Sequence, residues 1–573
     1  MQGSGGSPRV CVIGAGAAGL TTMKQLKDQG ISNIDCFEKE NAVGGIFLYG
    51  EHKNGVYDNA TLTISNYLMA FSDMPPTGHR YHWHHSEYYE YLQEYARKFD
   101  LLRHVTFRTS VLCVEGEPGK WHVVVQTSGA EPVDMGYYDV VAVCSGTHQA
   151  EHIPNIPGIE GFTGKMLHSG EYKNNARFAG KDCVVVGIGE SAADVVREIS
   201  DVSSSTTLAI RSYPYLIPRL ARPFHKNPYG ASSDAYTSHL RHDLLKVPLC
   251  RSGRLKHFIN RLMCTLAAIL YYFFPSLGQD KKPTKDAFNQ DVDGGFVDKD
   301  TKASFLANKV ILTFCDLSGQ QEKGQKFACK NVSFVPNIVS GKIAVNSAGI
   351  KCVEGEYVVF NDGSRARAEY LVMCTGYRDS FSYLKGNIGA TGIPLSVPEN
   401  NVRRLYRHIF HPCIGHSMAW IGFVRPSTGG IPPCAEMAAR YFALLVAGKR
   451  KLPRAIADLT QSDYSLDTHY FRLSPNVKTL VGYKHWMDTM AEDVGCEVQL
   501  WRYLLRPRLF VRLCIGSLVP SQYRLVGPGS MPELAKDTVL GLPVAPTGEQ
   551  TIGEAYRSWL RHLNPRKMFV RNE

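Results

Sequence analysis

Arg9-Val-Cys-Val-Ile13-Gly14-Ala-Gly16-Ala17-Ala18-Gly19 reads as a short apolar strand, a glycine turn and the start of a helical pattern that continues to about Gly30. The first glycine permits the tight turn. The second lets backbone approach a pyrophosphate, and the third lets helix and strand pack closely, with the phosphate at the helix N-terminus. A second apolar run, Ile34-Asp-Cys-Phe37, ends at Glu38, 19 positions after Gly19, where a carboxylate accepts from ribose hydroxyls. One Gly-x-Gly-x-x-Gly alone is an ordinary turn; strand, helix and acid in order point to a nucleotide site. Glu38 disfavours a 2′-phosphate, so FAD fits here better than NADPH. Gly44-Gly45-Ile46-Phe47 follows the acid and suggests a second close backbone approach to the same dinucleotide.

The device recurs. Asp182-Cys-Val-Val-Val186 leads into Gly187-Ile-Gly189-Glu-Ser191-Ala192 and a helix carrying Asp194. Ala192 is the small third residue that the fingerprint allows. The next strand, Thr206 to Ile210, ends at Arg211 rather than at an acid. A guanidinium there pairs with a 2′-phosphate through charge-assisted bonds, so the second site reads as NADPH.

Between the fingerprints, Ser86 to Lys98 has a helical stripe of Tyr88, Tyr91, Leu92 and Tyr95, read as core. Val105 to Val114, Trp121 to Gln126 and Asp139 to Cys144 read as strands. Beyond the second fingerprint, Val332 to Pro336, Glu356 to Phe360 and Tyr370 to Cys374 resume strand character, and a helix is expected from a Gly429-Gly430 turn through Ala447. That helix N-terminus either favours the negative charge of a reduced flavin or simply begins a helix. Residues 224–307 break the pattern and read as an insertion. Within them, Phe258 to Phe274 is apolar and flanked by Arg254, Lys256, Arg261 and Lys281. Two readings stay open: an interfacial membrane element or a helix packed on the protein.

Composition is that of a globular chain, with 44% hydrophobic and 20% charged residues over 573 positions. The net charge of +11 comes from scattered Lys and Arg, with no basic run that reads as a nucleic-acid patch. The 15 cysteines form no CxxC pair and no cluster at zinc spacing, so no metal is expected and a disulfide-reductase reading is disfavoured. Cys11, Cys144, Cys183 and Cys374 sit in apolar runs, as buried thiols do. The first residues lack a signal-peptide core, and the longest apolar run is shorter than the roughly 20 residues a bilayer span needs. The cytoplasm, or the cytoplasmic face of an internal membrane, is the expected compartment.

The joint between the two halves is Phe162-Thr-Gly164-Lys-Met-Leu-His168-Ser-Gly-Glu-Tyr172. With this segment the chain resembles the flavin-containing monooxygenase family of class B flavoprotein monooxygenases. Its identifying pattern, F-x-G-x-x-x-H-x-x-x-Y or F, is matched by Phe162, Gly164, His168 and Tyr172. Cys374-Thr-Gly-Tyr377 and the Arg-Leu-Val-Gly-Pro-Gly run at 524–529 fit as well. The resemblance covers roughly residues 8 to 535. It implies an α/β fold of two Rossmann-like domains, the NADPH domain inserted into the FAD domain, with a C-terminal extension. The FAD domain takes 8–172 and 377–447, the NADPH domain 173–376 with its insertion at about 224–307, and the extension 448–573.

The resemblance further implies FAD on Gly14, Gly16, Ala17, Ala18 and Gly19, with Glu38 on its ribose and Gly45, Ile46 and Phe47 close by. NADPH would lie on Gly187, Gly189, Ser191, Ala192 and Asp194, with Arg211 at the 2′-phosphate. NADPH would reduce the flavin, oxygen would form a C4a-hydroperoxyflavin, and a small soft nucleophile would take one oxygen atom in N- or S-oxygenation. Baeyer–Villiger oxygenation of a ketone, and an uncoupled NADPH oxidase releasing peroxide, are the alternatives. The joint would couple the domains, with His168 structural or gating. Three departures stand out: Phe47 where the family usually has Trp, Glu190 where it has Asn, and an active-site Asn whose ungapped place falls on Thr63, with Asn66 three residues on. The hydrophobic C-terminal anchor of some members is missing, the tail from Arg557 to Glu573 being basic and polar.

Overall fold

The computed structural model describes residues 7–50, 55–77, 81–221, 231–232, 234, 237–242, 253–277, 309–311, 313–314, 328–397, 400–472, 474 and 477–542. Most of the expected insertion, with Lys281, and the tail beyond 542 lie outside these residues. Two five-stranded parallel sheets organise the rest. The first runs Met418–Trp420, Val140–Val143, Val10–Ile13, Ile34–Phe37, Val105–Thr106. The second runs Ile343–Asn346, Ser205–Ala209, Asp182–Val186, Tyr370–Met373, Lys165–His168. Central strands covered on both faces need apolar side chains on both, which is why they read as unbroken hydrophobic runs.

The helix Ala17–Asp28 follows the first strand and Glu190–Ser200 follows the strand Asp182–Val186, the crossovers that parallel pairing requires. An antiparallel three-stranded sheet (Thr109–Glu117, Lys120–Thr127, Val133–Tyr138) is appended to the first unit, and Ile350–Glu354, Tyr357–Phe360 and Arg365–Arg367 form another on the second. The chain leaves the first sheet through Ala150–Glu151 and returns through Tyr377–Arg378. These two short strands pair antiparallel, Glu151 opposite Tyr377.

Several expectations shift. The strand Lys165–His168 pairs in the second sheet beside Tyr370–Met373, so the crossing falls before 165 rather than at 172. The run read as one strand from Val105 to Val114 divides at Arg108, whose φ is +54°. Its first part joins the parallel sheet and its second the antiparallel one. Val332 to Pro336 is not a strand. Val335–Val339 is a short helix with proline in its first turn, where the missing N–H costs nothing. Its apolar character reflects burial of Val332, Phe334 and Val335 in the second core.

The region expected as an extension belongs to the first core. Helices Tyr483–Val494 and Pro507–Ile515 share one hydrophobic cluster with Ala17–Asp28 and Ile431–Val446. Arg524 fastens it. Its Nη2 donates to Glu436 Oε1 at 2.6 Å and Asp73 Oδ2 at 3.1 Å, and its Nε donates to Ser72 Oγ at 2.7 Å. Lys24 Nζ lies 2.6 Å from the same Asp73 oxygen. Burial works to raise the Asp73 carboxyl, but Arg524 and Lys24 together hold it below its usual range.

Candidate functional site

The first turn is fixed by backbone. Gly14 has φ +99°, and a Cβ there would stand 2.8 Å from Cys144 O. Its N–H donates to Phe37 O at 2.8 Å. A Cβ on Gly19 would fall 1.9 Å from Gly14 O, so only glycine lets the helix start this close to the turn. Gly16 is different: its Cβ would meet Gly45 Cα at 3.4 Å and otherwise only that residue's backbone N, leaving a cradle between the two glycines. Ala17 and Ala18 are half-buried at the helix start, and Ile46 and Phe47 lie in the turn Gly45–Phe47. The Phe47 ring packs edge-on against Tyr88 at 4.6 Å. Glu38 is 4% exposed and leans over the turn, its carboxylate accepting from Ala15 N at 2.6 Å and Glu40 N at 2.9 Å. Each carboxylate oxygen accepts more than one hydrogen bond, so acceptor capacity remains for a ribose.

The second turn repeats this geometry. Gly187 has φ +108° and its Cβ would stand 2.5 Å from Cys374 O; its N–H donates to Ala209 O at 2.9 Å. Nothing lies within 4 Å of a Cβ on Gly189, and Ser191 beside it is exposed, so the helix N-terminus is open to an anion. Ala192 is buried. Arg211 is exposed just past the strand Ser205–Ala209. Both cradles fit a dinucleotide, and the Arg211 side fits one with a 2′-phosphate. One residue resists: Glu190 opens the helix, with Oε1 accepting from Lys330 N at 2.8 Å and Oε2 buried without a hydrogen-bond partner among the described residues. Burial pushes its carboxyl above the ordinary range.

Asp194 does not face this turn. Its carboxylate points inward and accepts from Tyr57 Oη at 2.6 Å, Asn331 Nδ2 at 2.7 Å and Arg219 Nη2 at 3.1 Å. At i+4 from Glu190, Asp194 lies on the same helix face one turn further in, where the charge is met by Arg219.

Thr63 and Asn66 lie on a loop held against both units. Thr63 is half-buried and its hydroxyl has no partner among the described residues. Asn66 is 3% exposed, opens the helix Asn66–Met69, and donates its N–H to Tyr81 O at 2.7 Å. Leu68 O accepts from Gly430 N at 3.1 Å, so the loop meets the N-terminus of Ile431–Val446. Ser65 N donates to Asp234 Oδ2 at 2.6 Å, and Asp234 is ion-paired with Lys330. His82, enclosed nearby, is pushed down to about 3 by burial, with Lys330 adding to the effect. The sequence reading missed Asp234, Lys330 and Arg219. Each is a single charge in a segment without periodicity, and only their burial marks them.

The joint segment fastens the units. Phe162 packs against the cluster containing Leu371 and Met373. A Cβ on Gly164 would meet Phe162 Cζ at 2.6 Å and Glu369 O at 2.8 Å. His168 Nδ1 accepts from Gly170 N at 3.1 Å, which sets the tautomer so that Nε2–H donates to Gly376 O at 3.0 Å. Tyr172 Oη donates to Glu198 Oε2 at 2.6 Å. His168 and Tyr172 are each 1% exposed, which suits a structural coupling rather than proton exchange with a substrate.

Two dinucleotide cradles on paired sheets define a two-nucleotide oxidoreductase. The profile of the family described as flavin-binding monooxygenase-like matches residues 7–232 and 308–541. The chain is 34% identical over 537 residues to a 4-hydroxybenzoate brominase (decarboxylating) of Pseudoalteromonas luteoviolacea, covering 93% of each chain. It is 29% identical over 542 residues to flavin-containing monooxygenase 5 of Mus musculus, covering 91% of this chain and 89% of that one. In fold it is similar to an S-allyl-L-cysteine S-oxygenase of Allium sativum, with TM-score 0.56, 19% identity, and 96% and 98% of the two chains covered. The chain belongs to the flavin-binding monooxygenase-like family. It is an NADPH-dependent flavoprotein monooxygenase, with FAD and NADPH as its cofactors. Among the described residues no group of three His, Cys, Asp or Glu side chains is placed to hold a metal ion.

Proposed function

We propose that the chain transfers one oxygen atom of O2 to a small soft nucleophile, the nitrogen or sulfur of an organic substrate. The observation that carries this reading is the loop 62–68, which touches the N-terminus of Ile431–Val446 through Gly430 and the second unit's polar network through Asp234. Bound FAD would supply the redox chemistry, accepting hydride from NADPH and activating oxygen. The protein's own part is holding and shielding. Gly14, Gly16, Gly19 and Glu38 would seat the flavin nucleotide, and Gly187, Gly189, Ser191 and Arg211 the nicotinamide nucleotide. The Thr63 hydroxyl, half-buried and unpaired among the described residues, has a hydrogen bond to give at the junction, and the enclosed loop keeps water away.

A second reading is favoured by the brominase relatives: bromide is itself a soft nucleophile, and its oxidised form would halogenate a phenol. Incubation with NADPH and oxygen, together with a thioether, a tertiary amine, or bromide plus 4-hydroxybenzoate, separates the readings. A sulfoxide or N-oxide matching NADPH consumption supports the first. Aryl bromide supports the second. Peroxide matching NADPH with every acceptor sinks both and leaves an oxidase.

A further inference from the structure

Two contacts hold the segment that carries Thr63, and both lead toward the second nucleotide turn. At its start Tyr57 Oη donates to Asp194 Oδ2 at 2.6 Å. At its end Ser65 N donates to Asp234 Oδ2 at 2.6 Å, and the other oxygen of Asp234, Oδ1, accepts from Lys330 Nζ. Tyr57, Ser65, Asp194, Asp234 and Lys330 are each at most 9% exposed. In so enclosed a place water competes little, and each bond holds its partners firmly.

The two ends of the Lys330–Asp234 pair are anchored in different parts of the molecule. Residues 330 and 331 are pinned to the helix Glu190–Ser200, which opens at the second turn. Lys330 N donates to Glu190 Oε1 at 2.8 Å, and Asn331 Nδ2 donates to Asp194 Oδ1 at 2.7 Å. These two acids are four positions apart and are therefore neighbours on one helix face. Asp234 is anchored instead toward the first core. Its carbonyl accepts from Ser517 Oγ at 3.3 Å, and Thr237 O accepts from Leu518 N at 2.7 Å, Leu518 being part of the first hydrophobic cluster. The ion pair thus bridges the helix of the second turn and the loop of the first unit. A buried ion pair adds little net stability over an apolar pair of the same volume; its attested use is to fix one arrangement of the parts it joins.

We propose that Lys330 and Asp234 are positioning residues through which a nucleotide bound at the second turn steadies the loop that presents the Thr63 hydroxyl. A phosphate settling on the turn at Gly187 and Gly189 restrains the N-terminus of Glu190–Ser200. Glu190 passes that restraint to Lys330, the ion pair passes it to Asp234, and Asp234 passes it to the amide of Ser65, two residues from Thr63. The part given to Thr63 rests on the function proposed above. The linkage itself belongs to the loop backbone and is read without turnover.

The test is hydrogen exchange, followed by mass spectrometry, on the FAD-loaded chain with and without saturating NADP⁺. NADP⁺ is expected to slow exchange of the amides in 62–68 about tenfold, as coupled sites do. Asp234→Asn with Lys330→Gln removes both charges and strands neither. This double variant is expected to lose the slowing in 62–68 while NADP⁺ still protects the turn at 187–191. Lys330→Arg keeps the charge and is expected to keep the slowing. In turnover the double variant should send a several-fold larger share of NADPH to peroxide at an unchanged KM for NADPH. A loop that exchanges alike with and without NADP⁺ in the parent chain overturns the proposal, and that comparison needs no variant to fold. Slowing that survives in the double variant, with only a lower unfolding temperature, overturns it too, since the pair would then be merely structural. Slowing lost in the double variant and kept in Lys330→Arg supports the linkage even where no acceptor is oxygenated, a failure that would count against the proposed function alone.

Discussion

The two glycine turns are one device built twice. Each has a first glycine at φ near +100° packed on the carbonyl of a cysteine, Cys144 in one and Cys374 in the other. Each cysteine directly follows the neighbouring parallel strand, donates its N–H back to the strand before the turn, and is followed two residues on by a glycine at positive φ, Gly146 or Gly376. They differ at three places. The helix-start contact is glycine-tight at Gly19 and relaxed at Ala192. The residue opening the helix is Ala17 in the first and Glu190 in the second. The charge after the second strand is a carboxylate, Glu38, in the first and a guanidinium, Arg211, in the second. Shared backbone makes both turns receptive to a pyrophosphate; on the proposed reading, the side chains at the rim would assign which nucleotide each one takes.

Breaking the backbone half of this comparison has the largest expected effect. Gly19→Ala places a Cβ against Gly14 O, a backbone atom that cannot swing aside, and should cost more than about 3 kcal/mol and leave the purified protein without FAD. Ala192→Gly, the reciprocal change, should cost about 1 kcal/mol and leave NADPH reduction of the flavin near its original rate; comparable damage from both would erase the distinction. Next comes Arg524→Met, which takes from Glu436 its cation and from Asp73 one of its two, Lys24 remaining, beside the helix that follows the first turn. It should lower stability by about 3–5 kcal/mol in thermal or denaturant unfolding, whereas a marginal shift would mean that the cluster adds little to the first unit.

The charge half is tested more gently. Arg211→Glu should raise the KM for NADPH about 100-fold and alter that for NADH by no more than about twofold; equal shifts would remove Arg211 from the 2′-phosphate. The smallest effect is expected at Glu190. Its carboxyl titrates above the ordinary range, so it is neutral at low pH and turns anionic as pH rises through the raised value, against the nucleotide phosphates. NADPH binding should therefore weaken as pH rises, and Glu190→Gln should flatten that profile and tighten binding a few-fold at the alkaline end. A profile unchanged by the substitution would place the carboxylate out of reach of the phosphates.

What the sequence revealed followed from local rules. Strand, turn and helix around Gly14 and Gly187, and the inward stripe of Tyr88, Tyr91, Leu92 and Tyr95, are patterns that one segment displays by itself. What it hid depends on distant partners. Arg524 reads as part of a short run until Asp73 and Glu436 meet it from two distant segments, with Lys24 sharing Asp73 from a third. Asp234 and Lys330 are separated by nearly a hundred residues and acquire meaning only at the amide of Ser65. Val332 to Pro336 looked extended because apolar composition marks burial, and a short buried helix has too few residues to display its period. Asp194 was assigned by its place in a fingerprint helix, but one turn in from Glu190 its carboxylate is taken up by Tyr57, Arg219 and Asn331, partners from three distant segments.

The antiparallel pairing of Ala150–Glu151 with Tyr377–Arg378 has a consequence for building with this chain. The outgoing and returning strands lie in register beside each other, as the two arms of a hairpin would. A two-residue reverse turn therefore suffices to join 151 directly to 377, the connection most natural to strands so placed. The second sheet is thus inserted at a point where its ends already meet, while the segments that carry Leu240, Cys264, Ala267 and Ala268 into the first core would have to be kept in any such joining.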